Sequence, residues 1–523
     1  MNVKYLINRA IREYPDNIAV IYENTRRTFS QLNSRVNQLG NSLLKLGLKK
    51  GDRVGILLWN CCEFIEIDFA LSKTGIVRVP LNARLTGSDH EYILNDSQAH
   101  TLIFGEEFSE TVGAIKSSLN TVKQFVRVSE ELSKEKILGV SDYEDLMGKS
   151  ISDEPICEIR EEDLHTLFYT SGTTGKPKGA RLTQKSWANV AINLILDYGA
   201  FTEKDVILNL QPLSHGAGFF VLPFFIKGAT NVLVPEVKPS LIFETIEREK
   251  VTVLKLVPTM LYQLMESPEK TRYDLSSLHS IIYGGSPIIV PRLIEATRFF
   301  GKKLAQLYGQ AEAPMCISAL SKEDHITEGP EEMVRRLNSA GKPCVNVEVR
   351  IVDENGKDVQ AGEVGEVIVK GYHIMEGYWN LPEATAEVLR DGWIYTGDLG
   401  YTDSRGYIFL VDRKRDVIIS GAFNIYPKEI EDVIVTHPMV KEVAVIGVPD
   451  EKWGEAVKAV VVPKQGAHIT EQEIIDYCRV NMAAFKKPKT VDIVKELPHN
   501  PYGKILKTVL REPYWKGYDR RVH

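Results

Sequence analysis

The sequence predicts an α/β protein with a large, multi-layer N-terminal domain built on parallel sheets and a small C-terminal α+β domain. Short apolar runs alternate with amphipathic helical segments, a rhythm typical of parallel sheets with helical crossovers. The 523 residues are too many for a single hydrophobic core. The residues from 417 onward alternate helix and strand by themselves, which is enough for a second compact domain.

The predicted elements follow one another without an internal repeat or a low-complexity tail. Hydrophobic periodicity predicts helices at 32–46, 64–74, 187–196, 427–436 and 471–479. Strands are predicted at 53–59, 77–80, 101–104, 123–128, 167–169, 251–257, 443–448, 457–463 and 490–494. The longest run without charge, 206–226, approaches the ~20 residues that span a bilayer. Polar residues, glycines and prolines interrupt it, so we expect a strand, a loop and a buried helix instead.

The composition describes a soluble globular chain, with 43% hydrophobic and 26% charged residues. A net charge of −6 gives no reason to expect a nucleic-acid partner. The six cysteines are scattered and form no CxxC pair, which indicates buried thiols in a reducing, cytoplasmic setting. The N-terminal residues lack the apolar core of a signal peptide, and no transmembrane segment is expected.

The stretch from Tyr169 to Gly179 has the chemistry of a phosphate-binding loop. It contains four serine or threonine side chains, three glycines and two lysines within eleven residues. Glycine lets backbone amides approach an anion, while hydroxyls and lysines add donors and positive charge. Pro177 stands where a P-loop needs Ser or Thr, so this is not a Walker A loop. A flexible linker is the alternative, but the predicted strand and helix on either side argue against it.

Two further residues stand out without any comparison. His215 lies in a glycine-rich bend, where a lone histidine is more often structural than functional. Lys255 lies in an apolar strand, on the same face as Val253 and Val257. Burying a charged lysine is costly unless it is paired. Lys255 therefore contacts a second polar or anionic group of a substrate, pairs with a neighbouring carboxylate, or lies at a solvated edge.

The phosphate loop resembles the signature loop of the adenylate-forming superfamily, which includes acyl-CoA synthetases, peptide-synthetase adenylation domains and luciferases. Further segments match this family in order: Gln211 to Gly218, Tyr283 to Pro287, Tyr308 to Glu312, Gly392 to Asp398, Val411 to Asp416, Ile419 to Asn424 and Leu497 to Ile505. The resemblance covers nearly the whole chain, although the first 160 residues match only in general pattern.

The resemblance implies that ATP, Mg²⁺ and coenzyme A are used, and it indicates the nucleotide site. ATP or AMP would be bound by Thr170, Ser171, Gly172, Thr173, Thr174, Gly175, Lys178, Gly284, Gly285, Ser286, Tyr308, Gly309, Gln310, Ala311, Glu312, Asp398, Arg413 and Lys504. By the resemblance, the Tyr308 ring stacks on adenine, Glu312 and Thr170 hold magnesium, and Asp398 accepts the ribose hydroxyls. Ala311 replaces the threonine of the family, so one phosphate contact must come from elsewhere.

The same resemblance implies the remaining roles. Lys504, His215, Glu312 and Arg413 would be the catalytic residues. The acyl pocket would be formed by His215, Phe219, Phe220, Lys255, Gly285, Gln310 and Ala313. Ser420, Gly421 and Ala422 would face coenzyme A. Residues 1–412 would form the adenylation domain, residues 413–416 a hinge that pivots at Arg415, and residues 417–523 a mobile lid.

These assignments predict an AMP-forming acid–CoA ligase. The acid would form an acyl-adenylate with release of pyrophosphate, and the CoA thiol would then displace AMP. The apolar pocket residues favour a medium-chain or long-chain fatty acid, an aromatic acid or another acid with a mostly apolar body. Lys255 instead favours an acid with a second polar group, such as a dicarboxylic or hydroxy acid. The resemblance is also compatible with a homodimer.

Other functions keep the same motifs. A peptide-synthetase adenylation domain would need an acidic residue for the substrate amine near His215, and residues 213–220 contain none. An adenylating enzyme with an acceptor other than CoA and a luciferase-type oxygenase stay open. A nucleotide-binding regulator with a dead active site is disfavoured by the presence together of Lys178, Glu312, Asp398, Arg413 and Lys504.

Overall fold

The computed structural model describes residues 1–129, 139–170, 176–421, 423–499 and 505–516. From the N-terminus to residue 147 the elements are α1 (Val3–Glu13), β1 (Ile18–Tyr22), β2 (Thr25–Thr28), α2 (Phe29–Lys45), β3 (Arg53–Leu57), α3 (Cys62–Thr74), β4 (Val77–Pro80), α4 (Gly87–Asp96), β5 (Thr101–Gly105), α5 (Ser109–Ile115), β6 (Gln124–Val128), β7 (Ser141–Asp142) and α6 (Tyr143–Met147).

Residues 164–320 contribute β8 (Leu164–Thr170), β9 (Lys178–Thr183), α7 (Gln184–Tyr198), β10 (Val206–Asn209), α8 (Gly218–Phe225), β11 (Thr230–Leu233), α9 (Pro239–Glu249), β12 (Val253–Leu256), α10 (Pro258–Glu266), β13 (Ser280–Gly284), α11 (Val290–Phe300), β14 (Leu304–Gln310) and β15 (Ala313–Leu320).

The remaining elements are α12 (Glu331–Val334), β16 (Lys342–Pro343), β17 (Val347–Val352), β18 (Gly365–Gly371), α13 (Pro382–Val388), β19 (Leu389–Arg390), β20 (Trp393–Thr402), β21 (Ile408–Arg413), β22 (Ile418–Ser420), β23 (Phe423–Ile425), α14 (Pro427–Ile434), β24 (Val440–Asp450), β25 (Gly454–Pro463), α15 (Glu471–Asn481), β26 (Thr490–Ile493) and α16 (Lys507–Trp515). Short 3-10 turns lie at Glu106–Phe108, Lys116–Ser118, Arg335–Asn338 and Lys414–Asp416.

The contacts of the chain define two compact units. The first comprises Met1–Val349 and Val369–Ile394, and the second comprises Arg350–Ile368 and Tyr395–His523. The hinge expected at residues 413–416 lies inside the second unit, and its function as a hinge stays a prediction. No helix in the described ranges is both long and apolar enough to cross a membrane.

The first unit contains two large sheets. Among the described residues, one sheet has the strand order β7-β6-β5-β3-β4-β8-β9 and the other has the order β16-β15-β14-β13-β12-β10-β11-β1-β2. Their central strands pair in parallel, as the alternating pattern predicts. Antiparallel pairs lie at the edges, for example β8 with β9 and β14 with β15. Strands β5 and β13 are buried along their whole length, which is typical of a sheet covered on both faces.

Helices cover both faces of these sheets. One apolar core lies between the two sheets and includes residues of α1, α2, α3, α7 and α8. A second core packs α9, α10 and α11 on the far face of the larger sheet, and a third packs α4 and α5 on the smaller one. The described part of the first unit is therefore a layered α/β structure, which confirms the predicted fold class.

In the second unit, a sheet of order β23-β22-β25-β24, with β26 paired to β25, carries helices on both faces. Its core on one face includes residues of α14 and α15, and the other face packs against α16. The predicted helices and strands of the C-terminal region lie where the periodicity placed them, apart from small shifts at their ends. Residues 206–226 form β10, a loop and the buried helix α8, as predicted.

Some helices begin at a different residue than predicted, because a capping side chain determines where the helix begins. Helix α2 begins at Phe29, three residues before the predicted start. Thr28 caps it by accepting a hydrogen bond from the backbone N–H of Gln31, and the Gln31 side chain accepts one from the backbone N–H of Thr28. This reciprocal capping box satisfies two amide groups that a helix end otherwise leaves unpaired.

Candidate active site

The phosphate loop is described only at its two ends. Residues 171–175 and the side chain of Thr170 lie outside the described part of the chain. Strands β8 and β9 pair so that Thr170 lies opposite Lys178. The Tyr169 hydroxyl donates to Asp96 Oδ2 at 2.5 Å, and a Cβ on Gly179 would lie 2.9 Å from Tyr169 Cζ. The glycine is therefore required because an aromatic ring lies directly on its backbone.

Beside this loop, Lys178, Tyr378 and Glu312 form one contact series. Lys178 Nζ lies 5.1 Å from the centroid of the Tyr378 ring, and the Tyr378 hydroxyl donates to Glu312 Oε1 at 2.6 Å. Burial, together with the neighbouring Glu312 carboxylate, raises the pKa of the Tyr378 phenol. Tyr378 thus keeps its proton and holds the carboxylate in one orientation.

Glu312 is suited to the expected role of a magnesium ligand. One carboxylate oxygen accepts from Tyr378, and its second oxygen has no hydrogen-bond partner among the described residues. Carboxylate oxygen is the ligand type that Mg²⁺ prefers, and Mg²⁺ usually keeps several waters and phosphate oxygens. In the described ranges no group of three or more acidic, histidine or cysteine side chains could hold a metal. The remaining ligands of such an ion would therefore come from the nucleotide, water or Thr170.

Glycine is needed at the last residue of strand β13 and at the residue after it, for two different physical reasons. A Cβ on Gly284 would lie 2.4 Å from the carbonyl oxygen of Leu307, so no side chain fits there. Gly285 has φ +87°, a conformation that side chains disfavour. Gly285 and Ser286 are exposed, whereas the Tyr283 ring points into the core and its hydroxyl donates to Gln306 Oε1 at 3.0 Å. The result is a flat, bare edge of the kind that a planar base can approach.

The next strand, β14, ends in the segment Tyr308 to Glu312, which is half-buried throughout. Gly309 allows the chain to fold back, because a Cβ there would lie 2.5 Å from the backbone nitrogen of Met315. Gln310 pairs with Ala313 across this tight turn. Since parallel strands end at the same edge of a sheet, this turn and the Gly284 loop are neighbours. Ala311 offers no hydroxyl, as the sequence already indicated.

His215 lies in the loop between β10 and α8. Its ring stacks on Phe168, with the centroids 5.4 Å apart and the planes at 20°. Burial, with a smaller contribution from the charge of Lys255, lowers the pKa of His215 to about 4. Next to it, Phe219 stacks on Trp187 at 4.3 Å, and both Phe219 and Phe220 are buried. His215 is thus a neutral imidazole at physiological pH, surrounded by aromatic side chains.

Lys255 is a buried cation close to His215. It is 4% exposed, and its Nζ donates to Gln211 Oε1. A Cβ on Gly216 would lie 3.1 Å from Lys255 Nζ, so the glycine leaves room for the ammonium group. No carboxylate in the described ranges forms an ion pair with Lys255, and burial lowers its pKa to about 7. Of the alternatives from the sequence, the neighbouring-carboxylate and solvated-edge interpretations do not fit the described residues.

In the second unit, Asp398 and Arg413 face each other across β20 and β21. Arg413 Nε lies 2.7 Å from Asp398 Oδ1, and Asp398 is 6% exposed. The backbone N–H of Asp398 donates to the hydroxyl of Thr396 at 3.1 Å. These two residues, which the resemblance assigns to the nucleotide site, are therefore brought together as an ion pair.

The segment expected to face coenzyme A contains a glycine in the left-handed conformation. Gly421 has φ +62°, and a Cβ there would lie 2.9 Å from Trp453 Cε3. The backbone N–H of Gly421 donates to the carbonyl of Trp453 at 2.7 Å. Ser420 ends β22, and Ala422 lies outside the described residues. The indole of Trp453 is half-exposed, so this corner of the second unit presents an aromatic surface.

Lys504, with residues 500–503, also lies outside the described residues. The segments on either side are fixed, because His499 and Ile505 form an antiparallel bridge. Helix α16 follows, and its Arg511 pairs with Asp416 at 2.9 Å. The Arg511–Asp416 pair links the chain that follows Lys504 to the segment 413–416.

Sequence reasoning missed three contributors. Tyr378, which holds Glu312, is 66 residues away from it in the chain. Gln211 was noted only as part of the His215 segment, although it is the hydrogen-bond partner of Lys255. Trp453 has no sequence signal that connects it with Gly421. The folding of distant parts of the chain brings these side chains together.

Comparison with known proteins agrees with this geometry. Residues 7–379 match the model of the AMP-binding enzyme family, and residues 429–504 match the AMP-binding enzyme C-terminal domain. The chain is 36% identical to a medium/long-chain-fatty-acid–CoA ligase of Mycobacterium tuberculosis over 99% of this chain and 91% of that protein. It is 37% identical to a feruloyl-CoA synthase of an Amycolatopsis species over 97% and 98% of the two chains.

A solved structure extends the comparison to a reaction intermediate. The o-succinylbenzoate CoA synthetase of Bacillus subtilis, in complex with its acyl-adenylate, superposes with a TM-score of 0.84 at 32% identity, covering 97% of each chain. Together with these matches, the layered α/β unit with glycine-rich strand ends belongs to the class of AMP-binding α/β enzymes. The chain belongs to the AMP-binding enzyme family, in the CoA-ligase branch of the adenylate-forming superfamily. It is an AMP-forming acid–CoA ligase.

The Tyr378→Phe substitution tests the orientation of Glu312. It removes the hydrogen bond to the carboxylate and keeps the ring beside Lys178. Because a hydrogen bond to a charged group contributes roughly 1.5–3 kcal/mol, we expect kcat for acid-dependent AMP release to fall about 10- to 100-fold. The Mg²⁺ concentration for half-maximal rate should rise. Tyr372→Phe, at an exposed ring beside Lys185, is the matched control. An unchanged Mg²⁺ dependence would contradict the assigned role.

The unpaired burial of Lys255 predicts a pH-dependent stability. Its folded pKa of about 7 lies below the unfolded value of about 10.4, so between these values the unfolded state binds more protons. The stability of the protein should therefore rise with pH across this window. Lys255→Met removes that dependence, so the melting temperature of the variant should exceed that of the wild type most below pH 7 and converge toward pH 10. A difference that is constant from pH 6 to pH 10 would show that Lys255 is not buried unpaired.

Proposed function

We propose that this enzyme activates a carboxylic acid as an acyl-adenylate at the expense of ATP and then transfers the acyl group to coenzyme A. The observation that carries the proposal is the Glu312 carboxylate, oriented by Tyr378 next to Lys178 at the base of the phosphate loop. An oriented carboxylate whose second oxygen accepts no hydrogen bond among the described residues can bind a phosphate-bound magnesium ion, and a nearby lysine can bind a phosphate oxygen.

In the first half-reaction, a carboxylate oxygen of the acid attacks the α-phosphorus of ATP. The bond from this phosphorus to the bridging oxygen breaks, and pyrophosphate leaves. Negative charge grows on the phosphate oxygens, and we assign its neutralisation to Lys178, Lys504 and the amides of the phosphate loop. Magnesium on Glu312 and Thr170 supplies further charge neutralisation when bound. Tyr378 keeps Glu312 oriented, so that little reorganisation is needed at the moment of reaction.

In the second half-reaction, the sulfur of coenzyme A attacks the acyl carbon of the adenylate. The bond from this carbon to the phosphate oxygen breaks, AMP leaves, and the thiol proton passes to solvent. We assign the approach of the thiol to the segment at Gly421, where a missing side chain leaves the backbone bare beside Trp453. His215, held neutral by burial, can donate a hydrogen bond to the acid without pairing with it as an ion.

The C-terminal residues would then supply different side chains and backbone groups to the two half-reactions. We propose that residues 413–416 are the hinge between an adenylation domain, residues 1–412, and a lid, residues 417–523. Lys504 would serve the adenylation step and Gly421 the thioester step. A change of position of this kind is a common way for one site to serve two reactions.

The acid is proposed to have a mostly apolar body. The side chains around His215, including Phe168 and Phe219, are aromatic and buried. The relatives named above act on medium-chain or long-chain fatty acids, ferulate and o-succinylbenzoate. A medium-chain or long-chain fatty acid is therefore one choice, and a dicarboxylic, hydroxy or aromatic acid is the alternative. An acceptor other than coenzyme A is the alternative for the second step.

The test of the proposed function is AMP release by the full chain with ATP, Mg²⁺ and a panel of carboxylic acids, each with and without coenzyme A. Straight-chain acids from acetate to palmitate, benzoates, dicarboxylates and hydroxy acids belong in the panel. We expect AMP release that requires both one class of acid and coenzyme A. Pyrophosphate exchange without any CoA-dependent turnover would instead show an adenylating enzyme with another acceptor.

The Gly421→Ala substitution separates the two half-reactions. Its Cβ would meet the Trp453 ring, so the backbone should shift and the thioester step should slow. We expect acid-dependent pyrophosphate exchange to stay near the wild-type rate and CoA-dependent AMP release to fall about tenfold or more. Gly466→Ala is the matched control, since Gly466 has a similar φ of +77° and open space around it. Equal loss of both half-reactions would contradict the assignment of Gly421.

A further inference from the structure

The described part of the chain buries three lysines, and they differ in how their charge is compensated. Lys73 Nζ lies 2.7 Å from Glu154, and Lys458 Nζ lies 2.5 Å from Asp492. Lys255 has no carboxylate partner in the described ranges, and it donates to Gln211, a neutral amide. Because burying an ammonium group without a counter-charge is costly, its retention here needs an explanation.

The depth of Lys255 in the sheet indicates which part of a bound acid it can contact. Lys255 lies opposite Ile282 in the register of β12 and β13. Gly284, in the loop at the nucleotide side, follows Ile282 by two residues, roughly 6.6 Å along the strand. The carboxylate that attacks ATP must lie near the loop that begins at Gly284. Lys255 therefore lies about two residues further into the sheet, where the opposite end of the acid would be.

The surroundings of Lys255 are suited to an anionic group. Gly216 leaves the space next to the ammonium group free of a side chain. Ser214, 5% exposed in the same bend, has a hydroxyl without a hydrogen-bond partner among the described residues. His215 is neutral, so it neither balances the positive charge of Lys255 nor adds to it. A carboxylate would compensate Lys255 and accept from donors that are already buried.

We propose that Lys255 binds a second carboxylate of the substrate, so that the acid activated by this enzyme is a dicarboxylic acid with an apolar body. The inference rests on the proposed function and narrows its substrate class. Lys255 is the specificity-determining residue, and Gln211 positions its ammonium group. The remote carboxylate does not react. It orients the acid so that the other carboxylate faces the α-phosphorus.

The experiment compares each α,ω-dicarboxylic acid from four to twelve carbons with its monomethyl ester and with the monocarboxylic acid of equal length. Aromatic dicarboxylic acids and their monomethyl esters form a second series. With the wild type we expect kcat/KM for AMP release to be about 10- to 100-fold higher for the best diacid than for its half-ester. Lys255→Met should lower kcat/KM for that diacid by a similar factor and leave the half-ester unchanged or improved.

Two further variants control the comparison. Lys255→Arg keeps the charge and should retain the preference for the diacid. Lys204→Met removes an exposed lysine of the same unit and should change nothing. Near-wild-type or raised melting temperature of Lys255→Met shows that its fold is intact. Equal use of diacid and half-ester by the wild type overturns the inference. An equal loss of all acids by Lys255→Met also overturns it, since Lys255 would then hold the reacting carboxylate.

Binding without ATP separates this inference from the proposed function. Calorimetry with the best diacid and its half-ester should show tighter binding of the diacid to the wild type, and no difference for Lys255→Met. If no acid supports AMP release but this discrimination is present, the proposed function fails and the inference stands. If acids support AMP release but neither assay discriminates, the inference fails and the proposed function stands. If neither release nor discrimination occurs, both fail.

Discussion

The segment 375–379 forms backbone hydrogen bonds with two parts of the candidate active site, and the arrangement of these parts depends on them. The N–H of Met375 donates to the carbonyl of Glu312 at 2.8 Å, and the N–H of Trp379 donates to the carbonyl of Gly179 at 2.8 Å. Between these anchors, the N–H of Arg181 donates to the carbonyl of Gly377. The segment thereby joins strand β9, which leaves the phosphate loop, to the turn that carries Glu312. Tyr378 lies within it, so one short stretch holds both strand β9 and the Glu312 carboxylate.

Burial explains the protonation states around this site. It is the main cause of the lowered pKa of His215, of the lowered pKa of Lys255 and of the raised pKa of Tyr378. In each case the low-dielectric surroundings favour the neutral form. For Tyr378 this keeps a donor available to Glu312. For Lys255 it leaves a group that is ready to gain charge when an anion approaches, because an opposite charge favours the protonated form.

The sequence predicted the fold class and a part of the helices and strands in their order, because these depend on local periodicity. It could not predict which distant side chains meet. The partners Lys255 and Gln211 are 44 residues apart, and their contact follows from the parallel pairing of β10 with β12. The sequence left three interpretations of Lys255 open, since burial and the absence of a nearby carboxylate are properties of the folded chain. The reason for Gly179 was equally hidden, because the ring that covers it belongs to the opposite strand.

The second unit shows how the predicted hinge is tied to its own helices. The carboxylate of Asp412 accepts from the N–H of Lys428 at 2.8 Å and so caps helix α14. Asp416 pairs with Arg511 on α16, the helix that follows Lys504. Burial raises the pKa of Asp412 to about 6, and the nearby Lys507 opposes this rise. Residues 412–416 therefore hold both helices through charged contacts. Asp412 precedes the proposed pivot at Arg415 and Asp416 follows it. A rotation about Arg415 would therefore carry α16 and the residues that flank Lys504, and it would strain the hydrogen bond from Lys428 to Asp412.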